Sequence, residues 1–514
     1  MEKSMASLEG RLRVKSVTLQ VPMEEEINLE RQMPDVDHVV GQTIRFSKEQ
    51  VQVGENKTQV QGSIHYRILY ATTGGSPMLH AVSGSVPFNQ SIALEKEPDW
   101  EVTVRMEVGN NSVKRLNSRK LSLFVMLNLY ADAYRTNCQE YITNVEGAVE
   151  KRFATTNYSR LKGHGTTAVS IKQSAELAEA EPDISRILYD HVELRAVELI
   201  PGDAQLTMRG EVAVFLVYEA QEPEGSIRYY TENLMVEETC DYPGKENNAL
   251  PSMRYQVVLA QVKEAPNEDG QMRRLHVSVE VEIAYDVYEN QEFTYLEDAY
   301  AKQENLILQH TECVLQKDRN CQFLRVPVEE TFTPAEEERL LMIFPVGARV
   351  QLEKPELLEG ELLIEGTVNC TLMYIGMSGT QPAVSELTIP FHKSIRREEM
   401  AEEKDADWEA YVWGDIASYY VTILNGTQAE VRLMVNLTAI TQQIKSCRLI
   451  TDMKKEPYET ICGPGMIGVT LSSPEALWEL AKENRTTVET ILRINELNEE
   501  EVKAGIPILV CQNL

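Results

Sequence analysis

The chain has 514 residues, enough for three or four domains of about 150 residues each. It is 43% hydrophobic and 25% charged, which excludes a disordered or collagen-like polymer. Acidic residues number 80 against 50 basic ones, a formal charge of -30, and such a surface repels phosphate backbones and anionic lipid, so nucleic-acid binding is excluded as a general function.

The N-terminal segment, residues 1–14, scatters charges through the stretch where a secretory leader needs an apolar run. The chain is therefore expected to act in the cytoplasm of the cell that makes it. No transmembrane segment is expected, because Leu121–Tyr130 and Leu340–Val346 are only core-length apolar runs. Domain-sized repetition then organises the sequence. GSIHYRILY (62–70), GEVAVFLVY (210–218) and GTVNCTLMY (366–374) share a glycine and a following tyrosine at one spacing. VPFNQSI (86–92) answers IPFHKSI (389–395), and Asp99-Trp100-Glu101 answers Asp407-Trp408-Glu409. From each tryptophan the register runs without a gap into RLNSRKLSLFVMLNL (115–129) and ILNGTQAEVRLMVNL (423–437). The second copy keeps RRLHVSVEVEIAYDVY (273–288), and MPDVDHVV (33–40) resembles EPDISRIL (181–188). TPAEEERLLMI (333–343) is a weaker third match.

These readings predict β-rich repeats over 15–148, 175–304 and 305–457, with a segment at 149–174 between the first two. Val277, Val279, Val281 and Ile283 alternate with polar residues, the period of a half-buried strand. TTGGSP (72–77) and GMSGTQP (376–382) are the composition of hairpin turns. Each copy is expected to be an antiparallel β-sandwich or barrel-like domain. The repeated glycine reads as a bulge or close-packing site and the repeated tyrosine as a core residue with a satisfied hydroxyl. The segment 149–174 holds Lys151, Arg152, Arg160, Lys162 and Lys172 with no acid after Glu150. It is expected to be a strand and link that offsets neighbouring acidic faces, or else a contact for an acidic partner.

After Pro457 the pattern becomes strand, helix, helix, strand over 466–514. Ser472-Ser473-Pro474-Glu475 has the composition of a helix start, and Leu477, Leu480 and Ala481 form an apolar stripe. Thr486 with Glu489 predicts a capping box for a second helix whose apolar face is Val488, Ile491 and Leu492. Trp478 lies at the margin of the first stripe, where it either packs in the small core or serves as an interface anchor. Ile506–Val510 predicts the return strand.

Catalytic signatures are absent. There is no P-loop, no G-x-G-x-x-G after a strand, no H-E-x-x-H and no G-x-S-x-G. The eight histidines lack ligand spacing, and the eight cysteines include no C-x-x-C pair. Cys313 and Cys321 are the closest pair and read as ordinary reduced thiols. The expectation is a protein that is not an enzyme, with no catalytic residues, cofactor or metal.

The last residues resemble a LysM domain, through Leu477 and Trp478, Thr487-Val488-Glu489, Ile494-Asn495, Gly505 and the strand Ile508-Leu509-Val510. That family usually has Gly-Asp-Thr where this chain has Ser473-Pro474-Glu475-Ala476, and Pro-Gly where it has Ala504-Gly505. By this resemblance the groove positions are Ser472, Ser473, Pro474 and Glu475 before the first helix and the loop Glu496, Leu497, Asn498 and Glu499; Trp478, from its place on the helix margin, and Ile467, on the first short strand, are further partner-contact candidates. Three β-rich repeats with a terminal LysM domain resemble the SpoIVA-interacting (SipL) family of spore morphogenetic proteins, carried by PDVDHVV, LNSRKLSL and the Gly-to-Tyr strand. The resemblance implies a scaffold or adaptor in the mother cell at the forespore surface. It implies binding to a SpoIVA-like coat-basement ATPase through the LysM domain, with other coat proteins as further partners. The alternative is a LysM-mediated binder of peptidoglycan or cortex glycan.

Overall fold

A computed structural model describes residues 2–72, 78–223, 226–242, 249–334, 339–358, 361–377, 382–396, 407–457, 465–474, 476–498 and 501–512. Most of the two turn sequences at 72–77 and 376–382 lies outside the described residues. The protein is mainly β, built of antiparallel sheets, with a small α+β unit at its C-terminal end.

Three two-sheet units follow one strand order. The first contains β1 (Lys3–Asn28), β2 (Val36–Val53), β3 (Lys57–Thr72), β4 (Leu79–Ala93), β5 (Trp100–Asn117) and β6 (Lys120–Val145). Its sheets are β1-β6-β5 and β2-β3-β4. The second contains β7 (Glu150–Glu176), β8 (Ile184–Pro201), β9 (Gln205–Ala220), β10 (Ile227–Asp241), β11 (Ala249–Pro266) and β12 (Met272–Tyr300), paired as β11-β12-β7 and β10-β9-β8. The third contains β13 (Glu304–Phe332), β14 (Leu340–Leu352), β15 (Glu356–Leu358), β16 (Glu361–Gly376), β17 (Pro382–Arg396), β18 (Asp407–Ile423) and β19 (Ala429–Pro457). There β13-β19-β18 faces a sheet in which β16 pairs with β14, β15 and β17. Strand β1 runs through residues 3–14, and residues 150–174 supply most of β7.

Alternation places the cores between the sheets of each unit. In β6, Leu121, Leu123, Val125, Leu127 and Leu129 are buried, and they pack with Val60, Ile64, Ile68 and Tyr70 of β3. Val277, Val279, Val281 and Ile283 of β12 do the same with Val212, Val214, Leu216 and Tyr218.

The repeated glycines sit where a side chain would strike backbone. A Cβ at Gly62 would lie 2.1 Å from Ser47 O, at Gly210 2.9 Å from Arg195 O and at Gly366 2.6 Å from Gln351 O. At the first two, the β2–β3 and β8–β9 ladders shift register beside the glycine, the local signature of a bulge. Gly62→Ala is expected to cost about 2 kcal/mol of unfolding free energy, read from the shift in urea midpoint; a midpoint equal to the parent's would show that β2 yields freely.

The repeated tyrosines close over the P-D segments. Tyr70 OH lies 3.5 Å from Pro34 O and Tyr218 OH 3.4 Å from Pro182 O. Arg119, from LNSRKL, donates to Met33 O and Glu30 O and pairs with Asp35 at 3.1 Å. Arg273 does the same in the second unit, donating to Glu181 O and approaching Asp183 at 3.5 Å. The motif therefore locks the start of β2 and β8 to the opposite sheet.

The units also meet one another. Val40, Leu69 and Leu79 of the first, Leu188, Tyr189, Phe215 and Val217 of the second and Val346 and Met373 of the third form one buried cluster. The far ends of β1, β6, β7, β12, β13 and β19 form a second, with Leu8, Tyr141, Tyr158, Phe293, Leu315 and Leu449. Contacts run cyclically, β2 on β11, β8 on β18, and β14 on β5 through Arg349 to Val108 O.

Candidate interaction site

The C-terminal unit consists of β20 (Gly465–Thr470), α1 (Ala476–Glu483), α2 (Val488–Ile494) and β21 (Pro507–Gln512), with β20 and β21 antiparallel. Leu471, Leu477, Ala481, Ile491, Val502, Ile508 and Val510 are its buried core. The cap of α2 is Thr487, whose hydroxyl accepts from Thr490 N at 3.0 Å. This corrects the sequence-based assignment of Thr486 as the cap. Thr486 is fully buried and its carbonyl accepts the Tyr300 hydroxyl at 2.7 Å, so the adjacent threonine is used for docking. Asn495 ends α2 by acting as a piece of strand. Its side chain donates to Leu509 O at 2.7 Å and accepts from Leu509 N at 2.8 Å, fixing the loop to β21.

The unit docks on the end of β12 through side chains that sequence spacing does not connect. Trp478 Nε1 donates to Asp298 Oδ2 at 2.8 Å, and Lys482 Nζ reaches both Asp298 oxygens at 2.7 and 2.8 Å. Tyr300 meets the Trp478 ring edge-on at 5.0 Å, and Arg152 of β7 lies over it at 5.4 Å. Burial of Asp298 works against its ionisation. Hydrogen bonds from Lys482 and Trp478, the Lys482 charge and the Ala299 N–H outweigh that and hold the carboxyl below its usual range.

Trp478 and Ile467 are half-buried and pack against the same apolar cluster. Ser472 and Pro474 are exposed and Ser473 half-buried; Ser473 O and Pro474 O accept from Ala476 N and Leu477 N, so this stretch forms the first turn into α1. In the second loop Glu496 and Asn498 are exposed and Leu497 half-buried, with Leu497 N bonded to Leu492 O at 3.0 Å. Glu475 and Glu499 lie outside the described residues. Sequence reasoning missed Met466 and Leu509, which are 63% and 46% exposed. The register pairs Gly468 with Leu509 and Met466 with Cys511, so all four share one face of the two-stranded sheet, where Met466 and Leu509 are exposed and Cys511 is buried. A Cβ at Gly468 would meet nothing within 4 Å, which leaves a shallow recess between two apolar side chains. Isolated exposed apolar residues are common; here two of them flank a bare glycine on one small two-stranded sheet.

The basic residues of 149–174 lie along β7 beside acids. Arg152 pairs with Glu297 at 2.8 Å and approaches Glu479 at 3.6 Å, and Arg160 approaches Glu9 at 3.6 Å. His191 is pushed down to about 4 by burial and then by Arg45 and Arg195. It fills the space over Gly347, where a Cβ would come within 2.3 Å of its Nε2, and so wedges the second unit against the third. Cys313 stands opposite Cys447 across the β13–β19 ladder, and the described cysteines are free thiols. Among the described residues no group of three or more metal-ligating side chains converges, and no helix is long and apolar enough to cross a membrane.

No curated protein and no solved structure matches the chain. Residues 35–116, from the start of β2 almost to the end of β5, match the family model described as SipL, SPOCS domain, so this portion of the first unit is similar to that family.

Proposed function

We propose that the chain is a non-enzymatic scaffold and adaptor of spore formation, acting in the mother cell at the forespore surface. The match of residues 35–116 to the SipL, SPOCS domain carries this reading. In it the C-terminal unit is a LysM-type module that binds a SpoIVA-like morphogenetic ATPase, and the three β units present it during coat assembly.

The module's surface supports a protein ligand. Met466 and Leu509 offer two apolar anchors around the Gly468 recess, and the exposed Glu496 flanks a loop that Asn495 holds in place. Apolar anchors supply affinity, and surrounding charge selects against wrong partners. The Ser472–Pro474 turn and the 496–498 loop border the same small unit.

Full-length chain, a Met466→Asp/Leu509→Asp variant and a chain ending at Gly463 would be offered the organism's SpoIVA-like ATPase and, separately, peptidoglycan sacculi. The expected result is retention of the full chain by the ATPase, a loss of at least about tenfold in affinity for the double variant, and no retention of the shortened chain. Retention on sacculi alone would replace the adaptor with a glycan binder.

A further inference from the structure

The three units line a solvent-open cavity of about 40 Å³ at their junction, outside the C-terminal unit and its docking contacts. Arg11 and Arg13 of β1, Arg254 of β11 and Arg319 of β13 line it, so every unit contributes a guanidinium. In a chain of charge -30 this is a local reversal of sign. Asp286 is the single acid in the lining; Arg11 pairs with it at 2.5 Å and with Glu101, just outside the lining, at 3.2 Å, so the unpaired positive charge is that of Arg13, Arg254 and Arg319.

Each guanidinium is stacked on an aromatic ring. Arg11 lies 4.1 Å from the Tyr134 centroid, Arg13 4.7 Å from Tyr411, Arg254 4.9 Å from Trp413 and Arg319 4.1 Å from Tyr288. Stacking uses the face of the group and leaves the N–H edge for an in-plane acceptor. Arg319 bonds a neutral partner, Gln442 Oε1, whereas Arg13 and Arg254 make no ion pair among the described residues. Arg11 is 7% exposed, yet its Nε is buried with no hydrogen-bond partner; Gln316, 8% exposed, has a buried Oε1 in the same condition. A buried donor and a buried acceptor on one cavity call for a ligand able to answer both.

We infer that this junction is a binding site for a phosphate-type oxyanion. Hydrogen phosphate presents several acceptor oxygens to Arg11 Nε, Arg13 and Arg254, and carries a proton that it can donate to Gln316 Oε1. Guanidinium forks match that geometry. Bound there, the anion ties β1, β11 and β13, one strand from each unit, together.

The test is titration calorimetry of the full-length chain with inorganic phosphate at constant ionic strength, chloride replacing phosphate in the control. Saturable binding is expected, weakened about tenfold by Arg254→Gln and by Arg13→Gln, with each variant's fold checked by near-ultraviolet circular dichroism. Arg13 is solvent-exposed, so its replacement leaves the chain folded even if that of Arg254 does not. Sulfate, which has no proton to give at neutral pH, is expected to bind several-fold more weakly. Absence of saturable phosphate binding, unchanged binding in a folded variant, or sulfate binding as tight as phosphate would each overturn the assignment.

Discussion

Asp190→Ala is expected to lower the unfolding free energy by about 3 kcal/mol. The Asp190 carboxylate, on β8 of the second unit, is only 2% exposed and receives Arg45 and Arg67 from the first. Arg45 makes a hydrogen-bonded pair; Arg67 approaches Oδ1 at 2.6 Å as an ion pair without hydrogen-bond alignment. Thr43 Oγ1 also donates to the Asp190 carbonyl at 2.7 Å. All of this borders the apolar cluster containing Tyr189 and Phe215. Removing the carboxylate leaves two positive charges facing each other beside that cluster. The arginines are 24% and 29% exposed, so water relieves part of the penalty, and the low end of the usual cost for stranding a buried partner applies. Urea denaturation with the slope held equal to the parent's reads the loss directly. A change below about 1 kcal/mol would mean that the arginines are already solvated and that apolar packing alone joins the first and second units.

Asp298→Ala is the second large effect, and it falls on docking of the C-terminal unit. The carboxylate is 10% exposed and Lys482 is 36% exposed, so the pair is partly screened. About 2 kcal/mol is expected after allowing for that, with the Trp478 N–H left without an acceptor. Hydrogen exchange at α1 and at the end of β12 should then rise together while the cores of the three β units keep their protection. The same contact sets a pH dependence. The carboxyl of Asp298 is held below its ordinary value in the folded chain, so its contribution is fully present above the unfolded value near about 3.9 and is lost as pH falls through the folded one. Docking is therefore expected to be unchanged from neutral pH down to about 4 and to fail in stronger acid. Exchange at α1 that rises already between about pH 7 and 5 would assign the contact to another group.

The β class and the faces of the long strands were legible in the sequence, because a two-residue period survives wherever one face meets a core. Val277 to Ile283 show this, with every second residue buried. The repeated glycine was legible for a related reason: loss of a side chain at a fixed place in a strand marks close backbone approach, as at Gly62. The cap at Thr487 was missed by one position because two threonines adjoin, and only burial separates the one that caps from the one that docks. Asp298 carried no signal at all. It lies 180 residues from Trp478 in the chain, and a single aspartate in an acidic sequence is unremarked until the fold brings an indole to it. Met466 and Leu509 escaped because an apolar residue in a short strand reads as core, and only the pairing register shows which face is outside. The arginine-lined junction was hidden for the same reason as Asp298, its residues being drawn from all three units.

Joining three similar units in one polypeptide has a consequence for stoichiometry. Three separate copies of one unit would necessarily carry three equal attachment points. Here Asp298 and Tyr300 terminate the last strand of the second unit, whereas Val145 and Pro457 terminate the corresponding strands of the first and third. The C-terminal unit thus has one seat on a three-part body, and the proposed adaptor would offer a single handle per chain, set against the second unit alone.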